Sequence, residues 1–281
     1  MRLLAALCLS LFALLASAQN VPPPTVAAKA WLLLDHGSGQ VLAAQDPDAR
    51  IEPASLTKLM TAYLTFAALK QGTLKIDQVV PVSTRAWKME GSRMFIAPDI
   101  PVTVDELIHG MIIQSGNDAC VALAESIAGS EETFANLMNQ EALRLGMTNT
   151  HFTNSSGLPD PQHYTTARDL GRLVSALIHD FPDNYTVYSN KEYTYNKITQ
   201  PNRNRLLWLD ATVDGVKTGH TASAGYCLIS SAKRGPRRLI SVVLGTASDN
   251  ARAQESLKIL NYGFQFFDTV KLYSANQAVS R

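Results

Sequence analysis

The chain has 281 residues, 46% hydrophobic and 17% charged, with 13 Pro and 16 Gly. That composition can bury a full-sized core and excludes disordered and fibrous architectures. Lys and Arg together number 25 against 24 Asp and Glu with no block of like charge, so nucleic acid is excluded as a partner, and three cysteines without a CxxC pair exclude a disulfide scaffold and structural zinc.

Residues 1–18 read as a signal peptide: Arg2, an unbroken apolar run, then Ala16-Ser17-Ala18 before Gln19. The run falls short of the ~20 apolar residues that span a bilayer. Cys8 lies within it behind Leu7, where a lipid-modification site would want a small residue. Cleavage after Ala18 predicts an exported protein retaining only Cys120 and Cys227.

In the mature chain, Ala30 to Asp35 and Gln40 to Ala44 flank His36-Gly37-Ser38-Gly39 and predict a β-hairpin. From Ser55 to about Gln71 the apolar residues Leu56, Leu59, Met60, Tyr63, Leu64 and Ala67 recur at helical spacing, with Gly72 as a stop. Thr103 to Gln114, Asp118 to Ala128, Glu131 to Leu145 and Thr166 to His179 show the same period. Gly225 to Lys233 and Arg238 to Ala247 are β-rich, and Ala251 to Phe267 is helical. Strands at both ends and helices between them predict an α+β fold: one mainly antiparallel sheet built from both chain ends, with helices on its faces. No linker divides residues 25–268.

Three short patterns carry polar chemistry. Ser55-Leu56-Thr57-Lys58 puts a hydroxyl and an amine three residues apart on one helix face. A serine becomes nucleophilic when a base takes its proton, and a lysine can be that base when burial or a second cation lowers its pKa. Ser230 to Lys233 repeats the pattern, but in a strand, where residues three apart face opposite sides. Ser115-Gly116-Asn117 lies between two helices, where helix capping is the competing explanation, and Ser248-Asp249-Asn250 and Ser274-Ala275-Asn276 also fit it. Lys217-Thr218-Gly219 occurs once, where a strand edge could present an ammonium, a hydroxyl and bare backbone to a peptide ending in a carboxylate.

In this order the trio SxxK, SxN and KTG resembles the signature of penicillin-binding proteins and serine β-lactamases. The surroundings, Pro53 to Thr61, Gln114 to Cys120 and Asp214 to Thr221, are similar to the low-molecular-mass D-alanyl-D-alanine carboxypeptidases, over residues of about 25 to 272. The resemblance implies a β-lactamase/transpeptidase-like catalytic domain within residues 19–272, followed by a tail, or the start of a missing domain, at residues 273–281. It implies a serine-type carboxypeptidase of peptidoglycan stem peptides ending in D-Ala-D-Ala, located in the periplasm or cell envelope and acylated by β-lactams, with no cofactor and no metal.

By the same resemblance, Ser55 is the nucleophile, Lys58 its base with its pKa depressed by Lys217, and Ser115 a proton relay toward the leaving amine. Asn117 holds the substrate amide, Lys217 and Thr218 face its carboxylate beside Gly219, and the N–H groups of Ser55 and His220 form the oxyanion hole. Arg203 supports carboxylate recognition, with an ordinary surface charge as the competing reading. The loop Met94 to Pro101 is shorter than in relatives, and Arg252 stands near where some relatives carry an Arg after the last strand. Cys120, three residues after Asn117, is either a small core residue or a thiol near the site; Cys227 reads as core. A D-alanyl-D-alanine endopeptidase and a β-lactamase are the alternative readings, the latter opposed by the absence of a Glu-x-x-Leu-Asn pattern between Asn117 and Lys217. Relatives often append a β-rich domain and an amphipathic anchor; the alternatives are a soluble exported enzyme and a chain cut before its membrane-surface anchor.

Overall fold

The computed structural model describes residues 21–270, so the signal segment, the Ser274 match and residues 271–281 lie outside it. The first hairpin pairs β1 (Ala30–Asp35) with β2 (Val41–Gln45). A 3₁₀ turn at Ala54–Thr57 leads into α1 (Lys58–Gln71), so the helix proper begins at Lys58 and not at Ser55. Two two-residue strands, β3 (Val79–Val80) and β4 (Val102–Thr103), precede α2 (Val104–Ile113), which opens with a capping box between Thr103 and Glu106. Helices α3 (Asn117–Ala128), α4 (Glu131–Arg144) and α5 (Ala167–Asp180) follow, the last two capped by the Ser130 and Thr166 hydroxyls.

A hairpin of β5 (Glu192–Tyr195) and β6 (Ile198–Pro201) leads to the late strands β7 (Val213–Thr221), β8 (Gly225–Arg234) and β9 (Arg237–Thr246), and then to α6 (Asp249–Phe266). The five-stranded antiparallel sheet has the order β2-β1-β9-β8-β7, so the amino-terminal strand lies against the last one, with Leu32 opposite Val242.

Every residue of β1 is buried because both faces of the sheet are covered. Alternation sends Leu32 and Leu34 into the large core shared with the helices, and Trp31 and Leu33 into a smaller core beneath α6. Strand β7 ends the row and packs along the 3₁₀ turn, bringing the sheet edge to the seam with the helical region. Among the described residues no helix is long and apolar enough to cross a membrane.

Candidate active site

Ser55 and Lys58 adjoin across the 3₁₀ turn, whose three-residue period brings residues i and i+3 into register. The Lys58 ammonium is buried and donates to Ser55 Oγ at 3.0 Å, Asn117 Oδ1 at 2.7 Å and the Ser156 carbonyl at 2.6 Å. Burial lowers its pKa to about 8, with a smaller contribution from the Arg203 guanidinium. Burial, one of the two causes expected from sequence, dominates; the second cation expected, Lys217, is itself buried with its own pKa well below the usual lysine range, lowered by burial and by the Lys58 charge.

Ser115 has φ +75°, and the Lys217 ammonium donates to its Oγ at 2.9 Å. Capping does not explain this motif: α3 is preceded by Gly116, with no side-chain cap. At Ser248, by contrast, the hydroxyl accepts from Ala251 N and caps α6. The second SxxK match is no site either, since Ser230 and Ser231 are buried within β8 while Lys233 is exposed. Ala54, just before Ser55, also has positive φ, at +49°. Two non-glycine residues in the left-handed region beside the reactive groups cost on the order of 1–3 kcal/mol each and must be held by their surroundings.

Those surroundings are explicit. Gly157, at φ +88°, lies so close to the Ala54 carbonyl that a Cβ there would overlap it, and the adjacent Ser156 carbonyl holds Lys58. Behind the turn, Thr57 Oγ1 meets His163 Nε2 at 2.8 Å. On β7, a Cβ at Gly219 would stand 3.1 Å from the Pro53 carbonyl, tighter than ordinary contact, so the bare backbone eases the close approach of the strand to the nucleophile turn.

Asn117 faces two ways: Oδ1 accepts from Lys58, and Nδ2 donates to the Glu90 carbonyl at 2.7 Å. Its neighbour Asp118, which the sequence reading did not single out, accepts from the backbone N–H groups of Met94, Phe95 and Ile96 and pins that loop to the first turn of α3. Thr218 and Gly219 are buried along the cleft edge, and His220 is exposed with its ring 4.0 Å from that of Tyr226. Arg203 is exposed but not idle: its Nη2 donates to Ser92 Oγ at 2.8 Å. Arg252 is buried and donates to the Gly219 carbonyl at 3.2 Å, with Asp249 as its carboxylate partner. Cys120 and Cys227 are buried and unpaired; the Cys120 thiol donates to the Gly116 carbonyl, and burial pushes it up to about 12, so the core reading of both cysteines holds.

Ser55, Ser115, Asn117, Arg203, Thr218 and His220 line one cleft of about 550 Å³, and the Lys58 and Lys217 ammonium groups sit just behind it. A serine against a buried, deprotonatable lysine, a second serine–lysine pair and a sheet edge beside them define a transpeptidase-like site. The solved structures agree on the fold. Penicillin binding protein 5 of Haemophilus influenzae superposes with a TM-score of 0.85 at 45% identity, over 87% of this chain and 73% of that one. Penicillin-Binding Protein D2 of Listeria monocytogenes in its ampicillin-bound form gives 0.80 at 31%, over 87% of this chain and all of that one.

The family model described as D-alanyl-D-alanine carboxypeptidase, peptidase family S11, matches residues 17–248, and the chain belongs to that family. Among curated relatives, D-alanyl-D-alanine carboxypeptidase DacC of Escherichia coli is 51% identical over 262 residues, covering 91% of this chain. DacA of the same organism is 46% identical over 254 residues, covering 88%. The chain spans 66% and 63% of the lengths of these two relatives.

Proposed function

We propose that the protein is a serine-type D-Ala-D-Ala carboxypeptidase that removes the terminal D-alanine from peptidoglycan stem peptides, and that β-lactams acylate the same serine. The observation that carries this reading is the buried Lys58 amine, 3.0 Å from Ser55 Oγ with its pKa lowered to about 8. Neutral Lys58 takes the Ser55 proton as Oγ attacks the carbonyl between the two D-alanines. The N–H groups of Ser55 and His220 receive the developing oxyanion. As the C–N bond breaks, Ser115, supported by Lys217, relays a proton to the departing amine, leaving an ester on Ser55. Water attacks that ester, releases the shortened peptide and restores the serine.

Thr218, Lys217 and Arg203 serve the substrate carboxylate. Asn117 serves the substrate amide once its Nδ2 leaves the Glu90 carbonyl. The peptide lies along β7, an edge strand with backbone groups available for pairing. Residues 19–272 form the catalytic domain, residues 1–18 direct export, and the envelope is where the enzyme meets its substrate.

Of the groups lining the cleft, the one carboxylate among the described residues is Asp249, and Arg252 occupies it. No acidic residue there is free to activate a deacylating water, which favours a long-lived penicilloyl-enzyme over a β-lactamase. Mass spectrometry after incubation with a pentapeptide ending in D-Ala-D-Ala tests the reading. The expected result is D-alanine release by the wild type and none by Ser55→Ala, and an inactive wild type or an active variant overturns it. A cross-linked dimer offered in parallel separates endopeptidase action.

A further inference from the structure

Arg203 reaches across the cleft to a single oxygen. Its Nη2 lies 2.8 Å from Ser92 Oγ, on the loop beneath which Asn117 and Asp118 sit. That oxygen is constrained from its other side: Ser92 Oγ lies 2.8 Å from the carbonyl of Gln114, the residue before Ser115. A carbonyl can only accept, so the single Ser92 proton points at Gln114 and its lone pairs turn toward Arg203. Ser92 is therefore a committed acceptor facing a group that can only donate.

Ser92 does not move independently of the reactive groups. Its carbonyl accepts from Asn117 N at 2.7 Å, and the Glu90 carbonyl two residues earlier takes Asn117 Nδ2. The bond from Arg203 to Ser92 thus ties the segment after β6 to the backbone frame of the Ser115 motif. A guanidinium carries five N–H donors in a fixed fork, so a bond at one of them leaves others available to a second acceptor at the cleft that Arg203 lines.

We infer that Ser92 is a positioning residue which, by accepting from Arg203 and donating to the Gln114 carbonyl, holds the guanidinium over the cleft in the orientation that receives the carboxylate end of the substrate. The inference rests on the function proposed above. Without the Ser92 oxygen, Arg203 is an exposed side chain free to sample many rotamers, and ordering it on binding raises the concentration of substrate needed. The bond-making groups around Ser55 keep their partners, because Ser92 holds Asn117 through its backbone carbonyl.

The test compares wild type, Ser92→Ala and Ser92→Thr in two assays: steady-state release of D-alanine from a pentapeptide ending in D-Ala-D-Ala, and the second-order rate of acylation by benzylpenicillin, which also carries a carboxylate. The expected result for Ser92→Ala is a KM raised about fivefold with kcat within twofold, acylation slowed by the same factor, and recovery in Ser92→Thr, which restores the hydroxyl. An unchanged KM, a fall in kcat alone, or a Thr variant no better than Ala overturns the inference. A wild type that is acylated by benzylpenicillin but releases no D-alanine defeats the carboxypeptidase reading instead, and the acylation arm then decides the Ser92 inference by itself.

Discussion

Lys58 Nζ stands 2.7 Å from Asn117 Oδ1 and 3.0 Å from Ser55 Oγ, so the amine is suspended between the nucleophile and the second motif. All its bonds are donated, and it can accept a proton from Ser55 only after losing one of its own. With burial holding its pKa at about 8, the rate of acylation should rise about tenfold per pH unit below 8 and level off above it. Stopped-flow acylation by a chromogenic β-lactam between pH 6 and 10 checks this. Lys58→Arg, which stays charged, should lose on the order of 10²–10⁴ in rate at every pH.

The same burial affects stability. An unfolded lysine keeps its proton up to its ordinary 10.5, whereas the folded one releases it near 8, so between those values the unfolded chain binds more protons and stability rises with pH. The displacement corresponds to about 3 kcal/mol, present as a penalty at all pH values below 8. Urea unfolding of the wild type and of Lys58→Met should therefore diverge between pH 8 and 10, the wild type gaining stability relative to the variant. Parallel curves would show that the ammonium is not desolvated.

His163 acts in the same direction at lower pH. Buried and facing Thr57, it has its pKa lowered to about 4 by desolvation. The unfolded histidine protonates near 6.5, so its contribution is present above that pH and is lost as pH falls from 6.5 toward 4, by up to about 3 kcal/mol. Replacing it in His163→Gln should flatten the acid limb of the stability profile in that window, measured by denaturant titration at pH 4.5, 5.5 and 7.

Much of the architecture is legible in the residue pattern. The hairpin of β1 and β2, the helices and the last two strands follow from apolar period, with ends within a few residues. The hairpin of β5 and β6 escapes such a reading because its turn uses Asn196-Lys197, both at positive φ, where Asn-Gly would have announced it. Ser55, Lys58, Ser115 and Lys217 are legible as an ordered trio, and the structure brings them together. The strap by which Asp118 holds the loop at Met94 to Ile96 is not: an acidic residue in the first turn of α3 reads as a partner of the helix dipole, whereas Asp118 gathers three N–H groups from residues more than twenty positions earlier. A lowered Lys58 pKa is legible as an expectation, but the weight of burial over a neighbouring cation is not, because burial of a lysine cannot be counted from sequence.

That strap yields a further prediction. Asp118→Asn replaces one acceptor oxygen by a donor, leaving at least one of the Met94, Phe95 and Ile96 N–H groups unpaired at a cost of about 1–3 kcal/mol. Hydrogen exchange of these three amides should accelerate, while those of the central sheet strands stay protected.

Close approach supplies the last. At Gly157 an alanine would combine an unfavourable φ of +88° with overlap of the Ala54 carbonyl, so the turn carrying Ser55 must shift. Gly157→Ala should destabilise the protein by at least about 2 kcal/mol and slow acylation of Ser55, read from thermal melts and β-lactam labelling of the remaining folded protein. Labelling at wild-type rate would show that the turn tolerates displacement.

The pairing of β1 with β9 also governs how the molecule comes into being. Strand β1 is bonded on both sides, to β2 and to a strand more than two hundred residues further along the chain, with Leu32 opposite Val242. As a ribosome releases the chain, its first hairpin waits with one apolar edge unsealed until nearly everything else has emerged, a state open to mispairing with other chains. The nucleophile turn emerges early, but its contact with the Gly219 backbone forms only with the late strands. A polypeptide held unfolded until synthesis is complete avoids that exposed interval, and a topology so dominated by distant pairings makes folding slow.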